Sequence, residues 1–290
     1  MLIPMTSEPI LSEAPFGSVP RAIFEQASTE TKRFSSALIL DGQLAGSGTF
    51  IKWESHHGIL TAHHVIHNPR ESARKFNFTS DQRLALQVEE NREHWFELDM
   101  RACRCVDVGI PATEADGPDL SVIILPEAKI GTLKAKKDFY NIEAQADQKL
   151  KKALSDTGAF LFSGCPESKS DAIVDPFGGR RLIVGHTGAC TLLNRRYEHG
   201  GFDFLELNVS YHPGSDALTT FAGMSGGGVW RIPLFKRLNE PLEKVRFDEL
   251  VLAGVVFLET GIEGGKQRIR CHGGKSIFIN TLQALRKLTT

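Results

Sequence analysis

Residues 37–62 have the sequence ALILDGQLAGSGTFIKWESHHGILTA, in which short apolar runs alternate with turn residues. Asp41-Gly42 follows the first run, and Ser55-His56-His57-Gly58 precedes the last one. Apolar runs of this length, joined by glycine-containing turns, are typical of consecutive antiparallel strands. This stretch therefore predicts a β-meander and favours an all-β fold.

Two β-rich parts of similar size flank a segment of different character. Residues 128–154 are dominated by Lys, Gln, Ala and Glu, a composition that favours a helix. Leucines repeat every three residues from Leu282 to Leu288 and indicate a short C-terminal helix, for which Asn280 is the expected N-cap. We therefore predict an N-terminal arm (1–34), a first β-barrel (35–127), a helical linker (128–156) and a second β-barrel with the C-terminal helix (157–290).

The composition of the 290 residues is that of an ordinary globular protein, with 41% hydrophobic and 24% charged residues. The formal net charge of −1 gives no support for a nucleic-acid or acidic-membrane partner. Pro4, Glu8 and Pro9 interrupt the first residues, where a signal peptide needs an apolar core. The five cysteines are irregularly spaced and are expected to be reduced thiols. These features predict a cytoplasmic protein that binds neither nucleic acid nor membranes.

The glycine-rich segment GMSGGGVW, at Gly223–Trp230, places one serine in a tight loop before a strand. A serine hydroxyl becomes nucleophilic when a base, normally His, takes its proton and a buried carboxylate orients that base. The chain offers both groups beside strands. LTAHHVI at 60–66 has two histidines after an apolar run, and GPDLSVIIL at 117–125 has Asp119 directly before one.

These three motifs, Thr-x-x-His-Val, Asp-Leu-x-Val and Gly-x-Ser-Gly-Gly in this order, resemble those of the trypsin/chymotrypsin-like serine proteases. The resemblance implies two six-stranded Greek-key β-barrels of the chymotrypsin type. It also implies a serine endopeptidase that cleaves a protein or peptide substrate without a cofactor. The roles it implies are His64 as general base, Asp119 as its orienting carboxylate, Ser225 as nucleophile, and the N–H groups of Gly223 and Ser225 as the oxyanion hole.

Two departures from the family pattern bear on regulation. Val65 stands where extracellular members have a disulfide-forming Cys, and Met224 stands where they have an Asp that pairs with a newly cut N-terminus. No Ile-Val-Gly-Gly segment precedes the first strand. The resemblance is therefore to the disulfide-free, bacterial-type intracellular members, and we expect control by a regulatory partner protein or by the N-terminal arm.

The resemblance also implies where the side chain of a substrate would bind. The residue six positions before the nucleophile, here Thr219, forms the base of the primary pocket, and one wall comes from Phe257-Leu258-Glu259. A neutral base disfavours a Lys or Arg preference, so we expect a modest apolar or small polar side chain in this pocket.

Several alternatives remain open from the residues alone. His63 competes with His64 for the role of base, and Asp116 competes with Asp119, although Asp116-Gly117 is more typical of a turn. The same fold would also serve as a latent or non-catalytic protein-binding module. An esterase or acyltransferase would use the same three groups.

Metal binding is the other alternative that the residues raise. The histidine-rich segment favours a strand and lacks a His-Glu-x-x-His pattern, and Cys103-Arg104-Cys105 lacks the usual two-residue spacer. We therefore expect no metal site. The histidines concerned are His56, His57, His63, His64 and His67.

Overall fold

A computed structural model provides the fold of the chain. It describes residues 11–13, 21–40, 42–67, 83–88, 95–112, 117–155, 159–174, 180–210, 220–237, 247, 249–260 and 266–288. None of the helices in these ranges has the length and apolar character needed to cross a membrane. All five cysteines are free thiols.

The structure is mostly β. The strands are β1 (Leu11–Glu13), β2 (Ser35–Leu40), β3 (Gln43–Trp53), β4 (His56–Thr61), β5 (Arg83–Gln87), β6 (Trp95–Asp99), β7 (Arg104–Gly109), β8 (Leu120–Ile124), β9 (Tyr140–Asn141), β10 (Ala159–Gly164), β11 (Ser170–Val174), β12 (Arg180–Val184), β13 (Thr187–His199), β14 (Phe202–Ser210), β15 (Gly228–Ile232), β16 (Phe235–Arg237), β17 (Val251–Glu259) and β18 (Lys266–His272).

The helices are short. They are α1 (Arg21–Lys32), α2 (His63–Ile66), α3 (Glu127–Lys134), α4 (Ala146–Ala153) and α5 (Leu282–Arg286), with 3₁₀ turns at Met100–Ala102 and Glu167–Lys169 and a π-helical turn at Ser276–Thr281.

The C-terminal part contains a closed barrel of six strands in the order β10-β13-β14-β18-β17-β15, as the sequence predicted for this half of the chain. All its pairings are antiparallel. Strand β10 is buried along its whole length because it lies between β13 and β15.

The N-terminal part differs from the predicted six-stranded barrel. Its strands form a sheet in the order β6-β5-β2-β3-β4-β8-β7, and β9 adds to β3 in parallel. Among the described residues, no ladder joins β6 to β7, so this sheet is a half-barrel. The β-meander predicted from residues 37–62 is present as β2, β3 and β4.

The two sheets share part of one apolar core. Trp230, on β15 of the closed barrel, packs against Phe34 and Tyr140, with ring centroids 5.2 and 5.3 Å away. Full burial of an aromatic side chain stabilises a fold by roughly 1.5–3 kcal/mol. This contact therefore helps to fix the boundary between the sheets.

Two segments, the predicted N-terminal arm and the predicted linker, contain elements that the sequence did not predict. Within the predicted arm, α1 packs on the closed barrel through buried Ala27, and β1 pairs with β16. The predicted linker is two helices, α3 and α4, separated by β9. The helix is interrupted because Phe139 and Tyr140 are buried, and Tyr140 pairs with Ile51 on β3.

The C-terminal helical segment is present, but Asn280 is not its N-cap. The π-helical turn at Ser276–Thr281 precedes α5, so Asn280 lies inside the helical segment. Asp203 on β14 caps the segment instead, since its carboxylate accepts hydrogen bonds from the N–H groups of Lys275 (3.1 Å) and Ser276 (2.7 Å). A long-range carboxylate supplies the cap that the sequence pattern assigned to a local residue.

Candidate active site

His64 and Asp119 lie together at the ends of two paired strands. Strand β4 leads into α2, which carries His64, and its neighbour β8 begins directly after Asp119. Oδ2 of Asp119 lies 2.5 Å from Nδ1 of His64, and Oδ1 accepts a 2.9 Å hydrogen bond from the backbone N–H of His64. Both carboxylate oxygens therefore hold the same residue, and the pairing leaves Nε2 of the ring as the acceptor.

Asp119 and His64 differ in how far their side chains are exposed to solvent. The side chain of Asp119 is 3% exposed, whereas that of His64 is 23% exposed. Burial alone would raise the pKa of Asp119, but the hydrogen bonds and the charge of His64 outweigh it and leave the pKa below its ordinary value. Asp119 is thus an ionised, buried carboxylate that stabilises the charged form of the imidazole.

His272, on β18, supports Asp119 from the closed barrel. Its Nε2 accepts a 2.9 Å hydrogen bond from the backbone N–H of Asp119. Because His272 is fully buried, its pKa is lowered to about 4, so the ring is neutral at pH 7. His272 was not among the predicted site residues, and no local signal identifies it, because 153 positions separate it from Asp119.

The loop that carries Ser225 has two unused backbone donors. The N–H groups of Met224, Gly226 and Gly227 donate to carbonyls, at 2.9, 2.7 and 2.8 Å. Those of Gly223 and Ser225 donate to none of the residues that the structure describes. Both residues are partly exposed. This pattern suits an oxyanion hole, which needs preorganised donors that are free to meet a substrate oxygen.

Tight packing explains two of the glycines. Gly223 and Gly226 both have φ of +87°, a region that favours glycine. A Cβ at Gly226 would lie 2.0 Å from the carbonyl oxygen of Ser47 and 2.1 Å from Oγ1 of Thr61. The loop therefore lies directly on β3 and on the end of β4.

Hydrogen bonds fasten this loop to β3, the neighbour of the strand that leads to His64. The N–H of Ser47 donates to the carbonyl of Ser225 (2.7 Å), and Ser47 Oγ donates to the carbonyl of Gly223 (2.8 Å). Thr61, three residues before His64, donates from Oγ1 to the carbonyl of Ser47 (2.7 Å). Ser47 thus links the loop that carries Ser225 to the end of the strand that precedes His64.

Ser225 Oγ and His64 are not hydrogen-bonded to each other in the structure. Nucleophile and base are often farther apart than a hydrogen bond without substrate and tighten in the reacting complex. The described residues therefore provide an oriented base and two backbone donors without a partner among them, and no hydrogen bond joins Ser225 to His64.

Met224 anchors the loop by burial. Its side chain is 0% exposed and belongs to the core of the closed barrel with Phe221, which stacks edge-on against Phe162 at 5.1 Å. The extracellular members of the family that the sequence resembles have an ion-paired Asp before the serine, whereas this chain has a buried apolar side chain there.

The residues predicted to bind substrate lie in different surroundings, and one of them is not described. Thr219 and the competing Asp116 lie outside the described residues. Phe257 is buried, and its ring packs against that of His272 with centroids 5.0 Å apart. Leu258 is partly buried on the apolar core of the N-terminal sheet.

Glu259 has a structural contact at the edge of the site. Its carboxylate accepts hydrogen bonds from the N–H of Phe221 (2.8 Å), from Oγ1 of Thr220 (3.2 Å) and from the amide of Gln267. It therefore ties β17 to the segment that leads into the serine loop.

His63, the competing base, points to different partners. Its Nδ1 lies 3.2 Å from Asp107 and 3.1 Å from Oγ of Ser121. Burial lowers its pKa, and Asp107 partly opposes that effect. Only His64 of the two is paired with Asp119. The structure also corrects the predicted strand, since residues 63–66 form the helical turn α2.

Comparison with known proteins gives no relative for this site. A scan of the chain against protein-family models and a search of curated proteins each find no match.

Proposed function

We propose that this chain is a serine endopeptidase with a chymotrypsin-like double-barrel architecture, and that it cleaves a peptide bond of a protein substrate through an acyl-enzyme. The observation that carries the proposal is the double attachment of Asp119 to His64, at 2.5 and 2.9 Å, next to a serine loop with two open N–H donors. The closed barrel and the half-barrel sheet on either side of this site support the architecture.

The proposed mechanism uses only groups of this chain. Nε2 of His64 accepts the proton of Ser225 Oγ as that oxygen attacks the carbonyl carbon. The negative charge on the substrate oxygen is stabilised by the N–H groups of Gly223 and Ser225, and loss of one such donor commonly costs about 10²–10³-fold in turnover. His64 then gives the proton to the leaving amine, and water hydrolyses the acyl-enzyme by the same steps.

Asp119 acts by orientation and charge. Its short contact to Nδ1 keeps the proton on that nitrogen and leaves Nε2 free to act as base. It also stabilises the imidazolium as the proton is transferred. His272 holds the backbone of Asp119, and is therefore a positioning residue.

The experiment is cleavage of a diverse peptide library by the purified chain, with Ser225→Ala as the matched variant and mass spectrometry of the products. Cleavage by the native chain alone is the expected result. Ester hydrolysis without peptide cleavage would indicate an esterase or acyltransferase, and equal product patterns for both proteins would refute the proposal.

A further inference from the structure

Two imidazoles and one carboxylate converge beside the His64–Asp119 pair, in a cluster that the proposed proteolysis does not use. Nδ1 of His63 and Nε2 of His67 each lie 3.2 Å from Oδ1 of Asp107. These three atoms all lie within 4.8 Å of one another. Among the described residues, no other group of His, Cys, Asp and Glu converges in this way.

The fold builds this cluster from adjacent elements. His63 and His67 are four positions apart, and the N–H of His67 donates to the carbonyl of His63 (2.9 Å), which places both rings on one side of α2. Their ring centroids are 4.5 Å apart. Asp107 on β7 is the cross-strand partner of Ser121 on β8, and β8 pairs with the strand that leads into α2.

Two of the three distances between the candidate ligand atoms are compatible with a coordinated metal ion. In a tetrahedral site with metal–ligand bonds of about 2.0 Å, neighbouring ligand atoms are about 3.3 Å apart. Both nitrogen–oxygen distances here are 3.2 Å. Ser121 Oγ donates a 3.0 Å hydrogen bond to Oδ1 of Asp107, and such outer partners orient the carboxylate of a metal site.

The side chains of the cluster differ in their exposure to solvent. The side chains of Asp107 and His67 are 35% and 30% exposed, whereas that of His63 is 11% exposed. Nε2 of His67 is itself buried, and a tetrahedral site would need one water beside the three protein ligands.

We propose that His63, His67 and Asp107 form a binding site for a transition-metal dication of the Zn²⁺ type. Neutral imidazole and carboxylate ligands are those that zinc prefers alongside thiolate. Since His64 lies between the two histidine ligands in the sequence, the ion would tie helix α2, which carries the proposed base, to strand β7. The sequence pattern favoured a strand here, and a strand would have separated the two rings.

The test measures binding to the full chain after removal of metal with a chelator. Addition of Co²⁺, followed by displacement with Zn²⁺, reports coordination through visible absorption bands, and calorimetry gives the stoichiometry. We expect one ion per chain. In His67→Ala and Asp107→Asn, the affinity should fall by more than the roughly 10–100-fold that loss of an outer-shell partner costs.

His199→Ala is the matched control, because His199 is an exposed histidine in the β13–β14 hairpin. It should bind Co²⁺ as the native chain does. Zn²⁺ should raise the melting temperature of the native chain and of this control, but not that of Asp107→Asn, which keeps the size of the side chain. Absence of Co²⁺ bands in the native chain, or equal affinity in the native chain and Asp107→Asn, would overturn the proposal.

Discussion

Replacement of Asp119 by Asn tests the proposed site most specifically, because both carboxylate oxygens accept from His64. Oδ1 accepts from the backbone N–H, and Oδ2 accepts from Nδ1. Asparagine has one acceptor oxygen and one donor amide group, so only one of the two contacts can keep an acceptor. If the amide group faces the backbone N–H of His64, two donors meet. If it faces Nδ1, the proton of the ring must move to Nε2. The first outcome breaks a contact that holds His64 in place, and the second removes the acceptor that the serine needs.

The expected decrease in the labelling rate has two causes, the loss of the negative charge of Asp119 and the change of tautomer of His64. Two unit charges about 4 Å apart in a protein site of effective dielectric about 20 attract by roughly 4 kcal/mol, which corresponds to about 10³-fold in rate. The wrong tautomer adds to this, and loss of the orienting carboxylate of a Ser-His-Asp triad costs about 10⁴-fold. We therefore expect a decrease of about 10³–10⁴-fold in the rate at which a fluorophosphonate labels Ser225.

The assay follows intact mass against time for the native chain, Asp119→Asn and Asp99→Asn. Asp99 is an exposed carboxylate that pairs with Arg101, and its variant should label at the native rate. Circular dichroism verifies that each variant is folded. Labelling of folded Asp119→Asn within tenfold of the native rate would refute the role given to Asp119.

Three further predictions concern stability. Gly226→Ala should lower the free energy of unfolding in urea by about 3–5 kcal/mol, since its φ is +87° and a Cβ would lie 2.0 Å from the carbonyl oxygen of Ser47. Gly42→Ala, with φ of +78° and open space around the Cβ, should lower it by only about 1–2 kcal/mol. Equal decreases for the two variants would contradict the role given to packing. Met224→Ala should cost about 2–5 kcal/mol in the same assay, because the side chain is fully buried, and a loss below about 1 kcal/mol would show that Met224 does not anchor the loop. His272 has a folded pKa of about 4, below its unfolded value of about 6.5, so the unfolded chain binds a proton first as the pH falls and stability is lost between these two values. His272→Gln should reduce that loss by roughly 3 kcal/mol between pH 6.5 and pH 4, and parallel stability curves for the two proteins would contradict it.

Local sequence patterns were sufficient for many elements of this fold. The alternation of apolar runs and glycine turns predicted β2, β3 and β4, because strand formation and turn chemistry depend on neighbouring residues. The same reasoning placed Asp119 directly before a buried strand. The half-barrel form of the N-terminal sheet was not predictable, since closure depends on pairings between strands far apart in the sequence.

The site depends on contacts that sequence spacing does not encode. His63 and His64 are adjacent, and only the positions of Asp107 and Asp119 give them different partners. His272 supports Asp119 from 153 positions away. Long-range contacts of this kind are set by tertiary packing, which overrides local pattern.

The most direct test of the central claim is the intact mass of the native chain and of Ser225→Ala after incubation with a fluorophosphonate, with the modified peptide identified by sequencing. We expect one adduct on the native chain, located on Ser225, and none on the variant. No adduct on the folded native chain, or an adduct that persists in Ser225→Ala, would contradict it.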